Sequence, residues 1–131
     1  MTSPAQRPIP SPSINPENKP FFDAAAAGKL LIGKCHACGK PHFYPRAICP
    51  RCFSDRTEWV PAKGTGTVYT FSVLRAVASP YCIAYVTLDE GVTMIANLAD
   101  CDFEKLKIGM KVKAVFKPTE NGTPVPMFTP A

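Results

Sequence analysis

Residues 35–52 read CHACGKPHFYPRAICPRC, two Cys-x-x-Cys pairs with ten residues between them. No other feature constrains the chain so tightly. A Cys-x-x-Cys turn points two sulfurs at one ion while backbone amides donate hydrogen bonds to the thiolates. Two such turns facing each other supply tetrahedral S4 coordination, which suits Zn2+ at a Zn–S distance of about 2.3 Å. Gly39 follows Cys38 where the turn favours a residue tolerant of positive φ, and Pro50 stiffens the second turn. The spacer is shorter than the roughly fifteen to twenty residues common in two-turn sites, yet it allows a hairpin return through Pro41–Pro45. A redox dithiol is the main competitor, but such pairs usually come singly and beside a βαβ pattern, which is missing here. Rubredoxin-type iron uses the same four ligands and remains open. A closed S4 site has no position for water. Catalysis is therefore not assigned to the metal, whose expected work is to fold a segment too short to build its own core.

That reading needs reduced thiols. The N-terminus, MTSPAQRPIPSPS, has one Arg and no apolar segment, unlike a secretory signal. No apolar run approaches the roughly 20 residues of a membrane span. A cytoplasmic protein without membrane contact is expected, in a compartment where disulfides are uncommon. The formal charge is +5; four thiolates and one Zn2+ add −4 + 2 = −2, leaving about +3. Such a balance suits an anionic partner, or simply a lysine-rich surface.

Along the 131 residues, 1–16 carry Pro4, Pro8, Pro10, Pro12 and Pro16, and read as an extended tail. Asn18 can cap a short helix through Phe21, Phe22 and Ala24–Ala27 that ends at Gly28. Phe21 and Phe22 are expected to pack on the body or on a partner. Leu30–Ile32 leads as a strand into the cysteine region, which runs to about Trp59. Beyond the turn at Gly64–Gly66, three strands are expected at Thr67–Val77, Tyr81–Leu88 and Val92–Leu98. A short helix at Phe103–Ile108 follows, capped by Asp102 and ended by Gly109, and then strands at Lys111–Lys117 and Val125–Phe128. Three strands, a helix and two strands match the five-stranded Greek-key OB barrel. The expected fold is thus mainly β: tail 1–16, helix and rubredoxin-like zinc ribbon 17–60, OB-fold barrel 61–131.

Other chemistry is sparse. The chain has no P-loop, no Gly-x-Gly-x-x-Gly and no Gly-x-Ser-x-Gly. His36 and His42 read as surface or hydrogen-bonding side chains, since sulfur already fills four positions. Lys34, Lys40, Arg46 and Arg51 would offset the charge of the thiolate site, a reading favoured over anion binding. Cys82 alternates with Ala84 and Val86 as a buried thiol does, and Cys101 lies between two aspartates that discourage a thiolate. Asp89 and Glu90 read as solvated turn residues. Trp59 with Tyr69, Phe71 and Tyr81 could stack on bases or an adenine ring, but strand aromatics are more often core.

The segments CHACGKPHFYPRAICPRC, GTGTVYTFSVLR, PYCIAYVTLDEGVTMIANLADCD and LKIGMKVKAVF, led by PFFDAAAAGKL, occur in that order. Together they resemble the acyl-CoA-associated zinc-ribbon/OB-fold family over roughly residues 17–128. The likeness includes the Pro45-Arg46 step, the Gly64 and Gly66 turn and the Leu88–Gly91 turn, and departs at Phe53, where a small or polar residue is usual. Members of that family resemble non-catalytic partners of thiolase-superfamily enzymes, among them acyltransferases and lipid-transfer-protein-type aldolases.

The resemblance implies one structural zinc on Cys35, Cys38, Cys49 and Cys52. It also implies a barrel that docks a thiolase-like or lipid-transfer-protein-type catalytic subunit in a hetero-oligomer, and that helps hold a CoA thioester with that partner. Arg46, Arg51, Lys63 and Arg75 are the candidate groups for CoA or partner. A thiolase needs an activated cysteine, a histidine base and a far longer chain, so an accessory and not an enzyme is expected. The alternative is a nucleic-acid-binding zinc-ribbon/OB module.

Overall fold

The computed structural model describes residues 9–44, 46–76 and 79–131. Residues 1–8 of the expected tail, Pro45 of the hairpin return and Pro-Arg step, and Val77 at the expected end of the first barrel strand lie outside them. Among the described residues one α-helix, eight strands and one 3-10 turn are arranged around a shared core. Helix α1 (Lys19–Ala26) comes first, with Pro20 in its first turn. Asn18 does not cap it by side chain; its amide group and Asn15 exchange hydrogen bonds of 2.8 and 2.9 Å instead. Gly28, at φ 77, ends the helix as expected. Phe21, Phe22 and Ala25 form its buried face, so both phenylalanines pack on the body of this protein.

A three-stranded sheet follows, with β1 (Leu31–Cys35) between β2 (Pro41–His42) and β3 (Thr57–Pro61), all antiparallel. Its first strand runs three residues further than Leu30–Ile32 because the expected strand continues straight into the first cysteine. The remaining strands close a barrel in the order β4 (Thr65–Leu74), β5 (Tyr81–Leu88), β6 (Thr93–Leu98), β8 (Pro124–Pro130) and β7 (Lys111–Pro118). Pairing of β7 with β4 completes the ring. A single parallel contact, Leu98 opposite Phe128, joins β6 to β8. Taken as strands one to five, that order is the OB-fold Greek key.

Strict alternation decides the inside of the barrel. Cys82, Ala84, Val86 and Leu88 on β5 face inward and are buried. They meet Val68, Met94, Val112 and Phe128, and the same cluster continues into Phe21, Phe22, Leu30 and Ile32. Full burial of a side chain such as Phe128 or Ile32 contributes roughly 1.5–3 kcal/mol. Helix, ribbon and barrel therefore stand on one hydrophobic body. A bulge between Val68 and Thr70 turns Tyr69 outward.

The expected helix at Phe103–Ile108 is a single 3-10 turn, Phe103–Lys105. Asp102 does cap it, accepting from the Glu104 amide at 2.9 Å. The helix stops early because Leu106 turns extended and buries its side chain. Before α1, the described part of the tail has no regular structure as far as Ile14. It straps onto the β7–β8 turn: the Glu120 amide donates to the Ile9 carbonyl at 3.0 Å, and the Asn121 amide donates to Ser11 Oγ at 2.9 Å.

Candidate metal centre

Two turns built alike bring the four cysteines together. In the first, the Gly39 amide donates to the Cys35 carbonyl at 2.9 Å and the Cys35 amide to the Lys40 carbonyl at 3.1 Å. In the second, the Phe53 amide donates to the Cys49 carbonyl at 2.9 Å and the Cys49 amide to the Ser54 carbonyl at 2.8 Å. Each turn ends on a residue of positive φ, Gly39 at 74 and Phe53 at 63. The first turn projects from the end of β1, and the second is returned to the sheet by β3, whose Thr57 pairs with Cys35.

The sulfurs of Cys35, Cys38, Cys49 and Cys52 all lie within 4.8 Å of one another. Cys35 Sγ is 3.5 Å from Cys52 Sγ, and Cys38 Sγ is 3.9 Å from Cys49 Sγ. A zinc tetrathiolate with 2.3 Å bonds has sulfur–sulfur edges of about 3.8 Å. The donor set fits that ion in number, spacing and chemistry. Electrostatics agree. The Cys52 amide, foremost, holds the Cys49 thiol down at about 6. The Cys38 amide does the same for Cys35, which lies below its ordinary value. At Cys52 the Ser54 amide pulls downward, but Cys35, burial and the other two sulfurs together push the thiol up to about 11. One cage thus holds both a ready thiolate and a thiol that ionises only when a cation demands it.

The other sequence-level candidates are dispersed. Arg46 and Arg51 are exposed beside the second turn, with no ion pair among the described residues. Lys63 and Arg75 flank opposite ends of β4. The Lys63 amide donates to Glu90 Oε2 at 2.8 Å, and Arg75 pairs with Glu104 at 2.8 Å. His36 pairs with Glu58 at 3.0 Å on the surface, matching its expected role. His42 does not match: it is buried, and neither ring nitrogen has a hydrogen-bond partner among the described residues. Burial, then Arg46 and Arg51, hold its imidazole below the ordinary value. The signal for this was present in Gly33, whose missing side chain makes room for the ring.

The remaining thiols behave as expected. Burial pushes Cys82 up to about 11, and burial, Asp100 and Asp102 raise Cys101. Neither is a ready nucleophile. The four aromatics do not assemble into one platform. Phe71 faces inward opposite Ala84 and Trp59 packs against the core, whereas Tyr69 is exposed. No helix among the described residues is long and apolar enough to cross a membrane.

Comparison with known proteins matches both the ribbon and most of the barrel. Residues 22–58 match the ChsH2 rubredoxin-like zinc ribbon domain, and residues 59–117 match the ChsH2 C-terminal OB-fold domain. A DUF35 domain-containing scaffold protein of Methanocaldococcus jannaschii is 41% identical over 96 residues, spanning 66% of this chain and 67% of that protein. The benzoylsuccinyl-CoA thiolase subunit BbsA of Thauera aromatica is 32% identical, over 66% of this chain and 71% of the subunit. A probable enoyl-CoA hydratase alpha subunit of Thermomonospora curvata is 35% identical over 93% of this chain, which spans only 40% of that relative's length. Among solved structures, a chain of the Ltp2-ChsH2(DUF35) aldolase superposes with a TM-score of 0.78 at 34% identity, covering 92% of this chain and 98% of that one.

Proposed function

We infer that this chain, which belongs to the ChsH2-type zinc-ribbon and OB-fold family, is a non-catalytic accessory subunit of a thiolase-superfamily acyl-CoA enzyme. One observation carries the reading. The only cluster of metal-ligating side chains among the described residues is a closed four-sulfur cage with no vacancy for substrate or water. Cys35, Cys38, Cys49 and Cys52 would hold one zinc, which supplies structure by tying the two turns to one point. No described histidine is placed to activate a thiol: His36 is engaged with Glu58, and His42 is buried on β2 opposite Gly33 with no hydrogen-bond partner among the described residues.

Relatives named as a scaffold protein and as a thiolase subunit, and a solved neighbour named for a two-component aldolase, support a partner that performs the chemistry. In this reading the ribbon and barrel dock the catalytic subunit in the cytoplasm. Arg46, Arg51 and Lys63, unpaired by side chain among the described residues, are available to CoA phosphates or acidic groups of the partner. Arg75 is already committed to Glu104.

The test is co-purification of the full chain from its own cells, with the partner identified by mass spectrometry, followed by acyl-CoA turnover assays. Turnover is expected from the pair and not from this chain alone. Turnover by the single chain, or a thiolase-superfamily enzyme indifferent to its presence, would refute the reading. A nucleic-acid module is the second reading, favoured by the exposed Tyr69 and Tyr85 on the barrel wall. It predicts oligonucleotide affinity that falls steeply with salt.

A further inference from the structure

The second cysteine turn carries a residue that its own fold does not want. Phe53 has φ 63, the left-handed region, at the position equivalent to Gly39 in the first turn. Side chains avoid that region because Cβ crowds the following carbonyl oxygen. Among the described residues its side chain gains little packing in return, since Phe53 is 79% exposed. On the other side of the same turn, Ile48 is 48% exposed. Arg46, Arg51 and Arg56 lie within this same stretch, all exposed, against Asp55 and the Glu17 carboxylate that the Ala47 amide engages. Among the described residues none of the three arginines forms an ion pair.

The backbone beneath these side chains is fixed before any partner arrives. The Ala47 amide donates to Glu17 Oε2 at 2.7 Å, and the Ala47 carbonyl accepts from Thr57 Oγ1 at 3.1 Å. The Phe53 and Cys49 amides are bonded within the turn. An aromatic anchor and an aliphatic neighbour, held rigid and ringed by arginine, make the composition of an interface hot spot. Preorganisation removes part of the ordering cost of binding.

We propose that this turn is where the chain grips its catalytic subunit: Phe53 and Ile48 enter an apolar recess of that protein, and Arg46, Arg51 and Arg56 meet carboxylates on the rim. The proposal rests on the accessory-subunit reading and adds the surface and the complementary chemistry of the partner. A protein recess suits the pair better than a nucleic acid does, because a branched aliphatic such as Ile48 has no face for a base to stack on.

The experiment titrates the purified thiolase-superfamily subunit, identified by its co-purification with the wild-type chain, against full-length variants. Phe53→Gly suits the left-handed backbone and keeps the fold; it is expected to raise Kd about 30-fold or more, as loss of a hot spot does. Arg51→Glu should weaken binding and flatten its salt dependence. Lys29→Ser, an exposed change between α1 and β1, should leave Kd within about twofold. Metal content and thermal midpoint of each variant show that the ribbon is intact. Wild-type binding that Phe53→Gly leaves unchanged overturns the proposal while the accessory reading stands. Absence of wild-type binding overturns both. Salt-sensitive binding to a single-stranded oligonucleotide that Phe53→Gly abolishes would also overturn it, assigning the turn to nucleic acid.

Discussion

Gly33 and His42 face each other across the β1–β2 pair so closely that a Cβ on Gly33 would lie 2.2 Å from His42 Nε2. The imidazole occupies the space a side chain would fill, two residues before the first metal ligand, Cys35. Gly33→Ala must therefore displace a buried ring, and overpacking of this kind costs about 1–3 kcal/mol. His42→Ala opens that space, so the double variant should be less destabilised than the sum of the single changes by about 1 kcal/mol or more. Urea denaturation of the four proteins with zinc present measures both quantities. Strict additivity would mean that the two residues do not touch.

The same burial fixes a pH dependence. His42 has its imidazole lowered by burial and by Arg46 and Arg51, so the folded state binds fewer protons than the unfolded chain, whose histidine titrates near about 6.5. Its contribution to stability is complete above that pH and is lost as pH falls from there through the lowered native value. His42→Gln should flatten the decline in stability between pH 7 and 5.5, measured with zinc in excess.

A backbone neighbour gives a different outcome at Gly66. There a Cβ would lie 2.6 Å from the Thr87 carbonyl oxygen on β5. No side-chain truncation can relieve that contact. Gly66→Ala is expected to cost about 2 kcal/mol or more through shifted β4–β5 pairing, and no single change at Thr87 should restore it. Thermal denaturation of Gly66→Ala and of Gly66→Ala with Thr87→Gly checks this.

These contrasts mark what the sequence discloses. The barrel strands were legible because alternation is local: Cys82, Ala84, Val86 and Leu88 announce one buried face without reference to any other strand. The cysteine cage was legible because each Cys-x-x-Cys turn builds half of it from four consecutive residues. The helix expected at Phe103–Ile108 failed because Leu106 is drawn extended into the core, a tertiary demand that overrides the capped start at Asp102. Burial of His42 was missed because it depends on the register that sets it opposite Gly33. The left-handed backbone of Phe53 could have been read from the two-fold likeness of the turns, where it stands in the place of Gly39.

Metal binding should reveal the uneven thiols. At pH 7.5 Cys49, held at about 6, is already a thiolate, whereas Cys52, pushed to about 11, carries a proton that zinc must displace. Zinc addition to the metal-free chain is expected to bind one ion and release at least one proton but fewer than four. Calorimetry in buffers of different ionisation enthalpy counts them. Cys52→Ser should lose stoichiometric zinc. Chelation should strip hydrogen-exchange protection from the two turns before it affects β5 and β6, whose core is the barrel's own.

Phe53→Gly separates stability from recognition. In the left-handed region a side chain costs roughly 1–2 kcal/mol, while glycine in the unfolded chain costs roughly 0.5–1 kcal/mol of entropy relative to alanine. Because Phe53 is largely exposed, little packing is lost on its removal. The two terms leave the variant between unchanged and about 1.5 kcal/mol more stable than the natural chain, with the midpoint of urea unfolding shifted accordingly at unchanged slope. Phe53→Ala makes the control: it keeps Cβ, hence the backbone strain, and should gain nothing. A marked loss of stability in the glycine variant would show that the ring packs on its own fold.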